Sequence, residues 1–224
     1  MNVLVIGASR GIGLELVRQH RAAHCRVVAT ARDEAGLARL AALGAVPLRL
    51  DVTDLAACAG FGWALDGEAF DTVWFVAGVL NGTQGEQDAP DAPTQGDFDA
   101  VMHTNVLAPM RLLPLAAQAL KPGGRMALLS SKMGSIGQRS NGGSWLYRAS
   151  KAAANSVLKD LSFAFAGKAL CLSLHPGWVR TDMGGADADI DVATSVAGLC
   201  KVVAHARPED HGGFFNYDGQ PLAW

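Results

Sequence analysis

The sequence places a tyrosine and a lysine four residues apart, in Tyr147-Arg148-Ala149-Ser150-Lys151. On a helix those two side chains share a face, one turn apart. A phenol with an ordinary pKa of about 10 transfers protons poorly at neutral pH. An ammonium about 4 Å away attracts a phenolate by about 4 kcal/mol at an effective dielectric of about 20. At about 1.36 kcal/mol per pKa unit, that would bring the phenol to about 7 before desolvation is subtracted. The spacing therefore predicts a proton donor, Tyr147, tuned by Lys151.

Two further positions fit such chemistry. The apolar run Leu128-Leu129 ends in Ser130-Ser131. If the run is a strand, both hydroxyls lie at its carboxyl edge, where open α/β sheets bind ligands. Ser131 is the candidate to hold a substrate oxygen beside the tyrosine, with Ser130 and Ser135 as rivals. Asn105, in Thr104-Asn105-Val106, falls inside a stretch that reads as helix. An asparagine is mildly unfavourable there. It is either plainly exposed or held by a compensating contact, such as a water leading to Lys151.

At the amino end, Asn2–Ile6 runs into Gly7-Ala8-Ser9-Arg10-Gly11-Ile12-Gly13. A glycine-rich turn between a first strand and a first helix lets backbone approach a pyrophosphate, which the helix N-terminus then favours electrostatically. The spacing is G-x-x-x-G-x-G rather than the commoner G-x-G-x-x-G. Dinucleotide folds choose between the two nicotinamide cofactors near the end of strand 2, where an acid holds the ribose 2′-hydroxyl and an arginine accepts the 2′-phosphate. Here that end reads Thr30-Ala31-Arg32, and Asp33 reads as a helix N-cap. Arg32 and Arg10 suit a phosphate dianion, so the sequence favours NADP over NAD. Asp51, closing a third strand before Val52, is a candidate to accept a hydrogen bond from the adenine amino group. Alternatively it caps the next helix, a role open also to Thr53 and Asp54.

These residues need a scaffold that brings strand ends together. Short Val/Ile/Leu-rich runs at Asn2–Ile6, Arg26–Thr30, Val46–Leu50, Asp71–Val76, Arg125–Leu129, Ala169–Leu174 and Gly213–Asn216 read as seven strands. Helical stretches fall at Gly11–Ala22, Ala35–Leu43, Phe98–Leu120, Ser144–Phe165 and Val192–Val203. Strands separated by helices pair in parallel through right-handed crossovers. The expected fold is α/β: one doubly wound Rossmann domain over residues 1–224, a seven-stranded parallel sheet flanked by helices. Asn81–Gly96, rich in Gly, Asp, Pro and Gln, reads as a surface loop.

Composition narrows the function classes. Half of the 224 residues are apolar, 18% are charged, and the net charge is −2. Nothing here marks a nucleic-acid or anionic-membrane surface. Four scattered cysteines and six scattered histidines suggest neither disulfides nor a metal site. No run reaches the length of a membrane span, and the first apolar run is too short for a signal peptide. The expectation is a cytoplasmic protein whose fold begins at residue 2, without a leader.

Taken together, the Gly7–Gly13 turn, Asp51, Ala77-Gly78, Asn105, Ser131, the Tyr147/Lys151 pair, and Pro176-Gly177 followed by Thr181 resemble the short-chain dehydrogenase/reductase family over nearly the whole chain. His175 to Gly185 and the terminal Gly213–Gly219 with Trp224 are similar to its C-factor/sniffer-type carbonyl reductase branch. The resemblance implies hydride transfer between the nicotinamide cofactor and a carbonyl carbon, with Tyr147 as proton donor. Lys151 would bind the nicotinamide ribose and depress the tyrosine pKa; Ser131 would orient the carbonyl; Asn105 would hold a proton-relay water. Gly7, Ser9, Arg10, Gly11, Ile12 and Gly13 would wrap the cofactor phosphates. Arg32 would meet the 2′-phosphate and Asp51 the adenine, Val52, Ala77 and Gly78 would also contact the cofactor, and Pro176, Gly177, Val179 and Thr181 would flank the nicotinamide.

The chain departs from the family in three places. Val76 replaces the usual asparagine before Ala77-Gly78, a mainly structural position. The stretch from Ser131 to Tyr147 is long and carries Asn141-Gly142-Gly143, and the Thr181–Asp191 segment is short, which suggests an open pocket. The expected partners are a small carbonyl or alcohol substrate and further copies of the chain, as homodimer or homotetramer. The alternative reading is a nucleotide-binding regulatory or signalling protein of the C-factor type.

Overall fold

The computed structural model describes residues 1–80 and 92–224. Strand β1 (Asn2–Ile6) lies inside the sheet, and its alternation explains why. Leu4 and Ile6 pack into one apolar cluster while Val3 and Val5 pack into another on the opposite face. A strand apolar on both faces must be covered on both. Helices α1 (Gly11–Ala22), α2 (Glu34–Ala42) and α7 (Val192–His205) cover one face. The other is covered by α3 (Leu55–Ala64), α5 (Ala108–Gln118) and α6 (Trp145–Ala164). Trp74, Phe61, Phe70 and Phe75 are almost wholly buried, and each such side chain contributes about 2 kcal/mol relative to exposure.

The remaining strands are β2 (Arg26–Ala31), β3 (Val46–Arg49), β4 (Phe70–Phe75), β5 (Leu120–Leu129), β6 (Ala169–His175) and β7 (Gly213–Asn216). All pair in parallel, in the order β3-β2-β1-β4-β5-β6-β7. The order reverses between β1 and β4, which opens a crevice at their carboxyl ends. The doubly wound Rossmann fold expected from the sequence is the fold observed.

Several boundaries differ from expectation. Helix α3 was expected only through its cap candidates, Asp51, Thr53 and Asp54, and not as a stretch with bounds. Its sequence, LAACAGFGWA, has no polar face, so it carries no helical period. The expected helix over Phe98–Leu120 is three pieces. Helix α4 (Gln95–Met102) begins earlier, where the Thr94 hydroxyl accepts from Asp97 N. A π-helical turn, His103–Leu107, then leads into α5. Strand β5 starts at Leu120 rather than Arg125, with a register shift opposite Phe70/Thr72. The predicted Asn81–Gly96 loop falls mostly outside the described residues, and its last two positions belong to α4.

Candidate active site

At the β1–α1 turn, small size is a requirement. Gly7 has φ +89°, and a Cβ there would lie 2.5 Å from Ala77 N; a Cβ on Gly13 would lie 2.2 Å from Gly7 O. The turn is thus bare backbone packed against backbone. Thr30, on β2, secures it: Gly7 N donates to Thr30 Oγ1 at 2.9 Å and Ala8 N to Thr30 O at 2.8 Å. Helices α2, α3, α4 and α7 are closed by side-chain caps from Asp33, Asp54, Thr94 and Asp191. Helix α1 follows Arg10, which makes no side-chain cap. Its first-turn N–H groups are left at the carboxyl edge of β1, the arrangement that binds a phosphate. These features fit a dinucleotide pyrophosphate.

The predicted adenosine-side residues gather around β2 and β3. Asp33 caps α2 by accepting from Gly36 N at 2.7 Å, as the sequence suggested. Asp51 does not cap a helix; Asp54 does. Asp51 Oδ1 instead accepts from Thr53 N and Thr53 Oγ1 at 2.9 and 2.7 Å. These bonds, and more weakly the nearby Arg32 guanidinium, hold its carboxyl below the usual range. Val52 begins the same turn, and its carbonyl lies 3.3 Å from Cys58 Sγ. Ser9 packs against the start of α2, where a Cβ on Gly36 would meet its Cβ at 3.0 Å. Arg39, which sequence reasoning passed over, donates from Nε to Ser9 O at 3.0 Å. Arg10, expected as a second phosphate cation, pairs with Asp182 at 3.1 Å with both groups largely exposed. Such a pair is worth little, so the arginine can exchange it for another anion.

Gly11 faces the segment after β6, its Cβ position lying 3.6 Å from Thr181 Cγ2. That segment is pinned. Gly177 (φ +84°) abuts Ile190 and Tyr217, Pro176 O accepts from Ser195 Oγ at 2.6 Å, and Val179 bridges to Ile190. Thr181 Oγ1 accepts from Gly184 N at 3.1 Å, and Trp178 Nε1 donates to Gly184 O at 2.8 Å. Ile12 lies one position into the helix turn that bears on this segment.

At the carboxyl ends of β4 and β5 the site is built from side chains. Lys151 is buried and donates from Nζ to Leu129 O at 3.0 Å. Nζ stands 5.7 Å from the centre of the Tyr147 ring. The Ser131 hydroxyl lies beside the Tyr147 phenol and favours its ionisation, and Ser131 Oγ accepts from Met133 N at 3.1 Å. The rival serines are committed elsewhere. Ser130 Oγ reaches Lys151 O at 3.4 Å, and Ser135 Oγ donates to Ala223 O at 2.6 Å.

Asn105 sits in the π-helical turn and is buried. Its Oδ1 accepts from Val79 N at 2.9 Å; its Nδ2 donates to Val79 O and to Ser150 Oγ, each at 2.9 Å. These compensating contacts are protein groups. The amide ties the backbone just past β4 to α6. A Cβ on Gly78 would lie 3.4 Å from both Asn105 Oδ1 and Lys151 Nζ, so this glycine borders the lysine and the asparagine together.

One electrostatic expectation is corrected. Spacing alone put the tyrosine pKa near neutrality. In the structure burial pushes Tyr147 up to about 12, eased by the Ser131 hydrogen bond, and burial pushes Lys151 down to about 8. Desolvation by burial is the largest cause for both groups, and the ammonium donates its hydrogen bond to Leu129 O. The pair is poised as a neutral phenol beside a cation that is protonated at pH 7.

Among the described residues no group of three or more His, Cys, Asp or Glu could hold a metal ion, and no helix is long and apolar enough to cross a membrane.

The fold and site have recognisable relatives. The family model for short chain dehydrogenases matches residues 1–190. The C-signal protein of Myxococcus xanthus is 38% identical over 131 residues, covering 57% of this chain and 79% of its own. The carbonyl reductase Sniffer of D. melanogaster superposes with a TM-score of 0.85 at 31% identity, covering 100% of this chain and 99% of its own. A carbonyl reductase from Pseudomonas aeruginosa PAO1, solved in complex with NADP, gives 0.84 at 34% identity with the same coverage. The chain belongs to the short-chain dehydrogenase/reductase family, in its C-factor/sniffer-type branch, and is an oxidoreductase by that membership.

Proposed function

We propose that this chain is an NADP(H)-dependent reductase of small aldehydes or ketones, acting as one domain over residues 1–224. The observation that carries the reading is the Tyr147 phenol set beside the Ser131 hydroxyl, with buried Lys151 Nζ 5.7 Å from the ring centre, at the carboxyl edge of the sheet. The NADP bound by the Pseudomonas relative supports the cofactor.

Reduced nicotinamide, when bound, would supply a hydride to the carbonyl carbon. The chain's own groups manage the oxygen. Ser131 Oγ and Tyr147 Oη donate to the carbonyl oxygen and align it. As negative charge develops there, Tyr147 releases its proton to it, giving the alcohol and a phenolate. An alkoxide is a stronger base than a phenolate, so the transfer runs downhill even from a phenol with a raised pKa. Lys151 stabilises that phenolate and holds the nicotinamide ribose. Asn105 keeps the backbone after β4 in register with α6 and so fixes where Lys151 stands. Gly7 to Gly13 hold the pyrophosphate; Arg32, with Arg10 and Arg39, takes the 2′-phosphate; Asp51 and Val52 meet the adenine. Ala77 and Gly78 border the ribose, and Pro176, Gly177, Val179 and Thr181 flank the nicotinamide. Met110 and Phe163, exposed on α5 and α6, suit pairing of copies into a homodimer or homotetramer.

The C-signal likeness favours a second reading, a nucleotide-binding signalling protein. NADPH oxidation against a panel of aldehydes, ketones and quinones separates the two. The reductase reading expects turnover, lowered about 10³-fold by Tyr147→Phe with NADPH binding retained. Tight NADPH binding with no turnover on any substrate would instead establish the second.

A further inference from the structure

The residue after the proton donor is a buried arginine, 8% exposed. Arg148 Nε donates to Gly143 O at 2.8 Å, and Nη2 donates to Asn141 Oδ1 at 2.5 Å and to Gly142 O at 3.1 Å. One guanidinium therefore grips three consecutive residues just before α6. The chain is strongly bent there: Gly143 has φ +82° and Ser144, which is not a glycine, has φ +45°. Such a conformation persists only where its surroundings enforce it.

The far end of the same loop is held separately. Ser135 Oγ donates to Ala223 O, and Gly137 N donates to Trp224 O at 3.0 Å. Trp224 is itself stacked on Phe214 with centroids 5.4 Å apart. Between the anchors, Gln138, Arg139 and Ser140 are exposed. The loop thus runs from the Ser131 turn to the helix carrying Tyr147, fixed at both ends and open in the middle.

We infer that Arg148 is a positioning residue for substrate. It acts through residues 141–143 to fix the loop bordering Tyr147 and Ser131, and so sets how tightly the carbonyl compound is held without taking part in proton transfer. The inference rests on the reductase reading for its kinetic meaning. The anchoring itself can be read without turnover.

Arg148→Met should raise the carbonyl KM about tenfold, leaving kcat and the NADPH Kd within about twofold. Arg148→Lys, which cannot span three acceptors with a planar fork, should fall between. Asn141→Ala removes one partner from the loop side and leaves α6 intact; its KM should rise less, and the double variant should be no worse than Arg148→Met alone. A fall in kcat at unchanged KM, or KM effects of the two sites that multiply, would overturn the inference. Limited trypsinolysis at exposed Arg139, within the loop, provides the independent reading. Cleavage there should be about tenfold faster in Arg148→Met, or faster in Asn141→Ala if the former does not fold. An unchanged rate overturns the anchoring. A wild-type protein without turnover on any carbonyl overturns only the reductase reading, and trypsin then decides the anchoring alone.

Discussion

The two ends of the crevice are built by opposite means. At the β1–α1 turn the working surface is backbone, and side chains are excluded: a Cβ at Gly13 or Gly7 would overlap main-chain atoms. Beside β4 and β5 the working surface is side chain, and polar groups are packed inside at a cost: Lys151, Asn105 and Ser131 are all buried. The first end gains from what is missing and is rigid because nothing there can be added. The second holds a cation against its solvation preference and keeps it by a carbonyl and a neighbouring phenol. Damage at the first should therefore appear as lost fold and lost cofactor; damage at the second can improve the fold while destroying activity.

The contrast is tested most severely at Gly13. Gly13→Ala forces a methyl against Gly7 O, a main-chain atom that cannot yield, and should cost about 3 kcal/mol of stability together with NADPH affinity. Urea unfolding and NADPH titration read both; a variant of wild-type stability would show that the turn is not backbone-limited.

Lys151→Met should show the reverse. Folding pushes the lysine pKa down from 10.5 to about 8, so the folded state binds its proton less readily than the unfolded chain. The penalty is fully present below about pH 8 and fades as pH rises towards 10.5. The variant should be inactive yet more stable than wild type at pH 7, by up to about 3 kcal/mol, and the gap should close by pH 10. Urea midpoints at the two pH values measure it; a gap that does not narrow would mean Lys151 bears no desolvation penalty.

The smallest effect is expected at the solvent-facing rim of the cofactor end. Arg32→Asp should shift preference from NADP towards NAD by about tenfold in kcat/KM, the scale of one or two charge-assisted hydrogen bonds, with stability almost unchanged. Unchanged preference would move the 2′-phosphate assignment to Arg10 and Arg39.

These two ends were not equally legible in the sequence. The glycine turn could be read because its physics is local: a strand, a φ-permissive bend and a helix start adjoin in sequence. The inner strands β1, β2, β4 and β6 could be read for a similar reason, since burial on both faces writes a continuous apolar run. The catalytic side chains could be named from spacing and resemblance, but their energetics could not. Spacing gives the distance along a helix and says nothing of Leu129 O or of the apolar enclosure that reverses the expected pKa shift of Tyr147. The bonds of Asn105 to Val79 and Ser150 join residues 26 and 45 positions apart, which no window of sequence contains. Arg148 lay inside the recognised pentapeptide, and only the fold brings residues 141–143 back to it. The extent of helix α3 was hidden because its apolar residues mark no face.

The π-helical turn at His103–Leu107 has a consequence for how such a site can arise. A π turn accommodates one more residue than the α-helix around it, and one residue rotates a helical side chain by about 100°. Asn105 therefore points at Val79 and Ser150 because the helix runs one residue out of step, while α4 before it and α5 after it keep their apolar faces on the core. The insertion acts as a phase shifter. It turns a single polar group inward without disturbing the packing on either side, a rearrangement that no substitution within a regular helix could achieve.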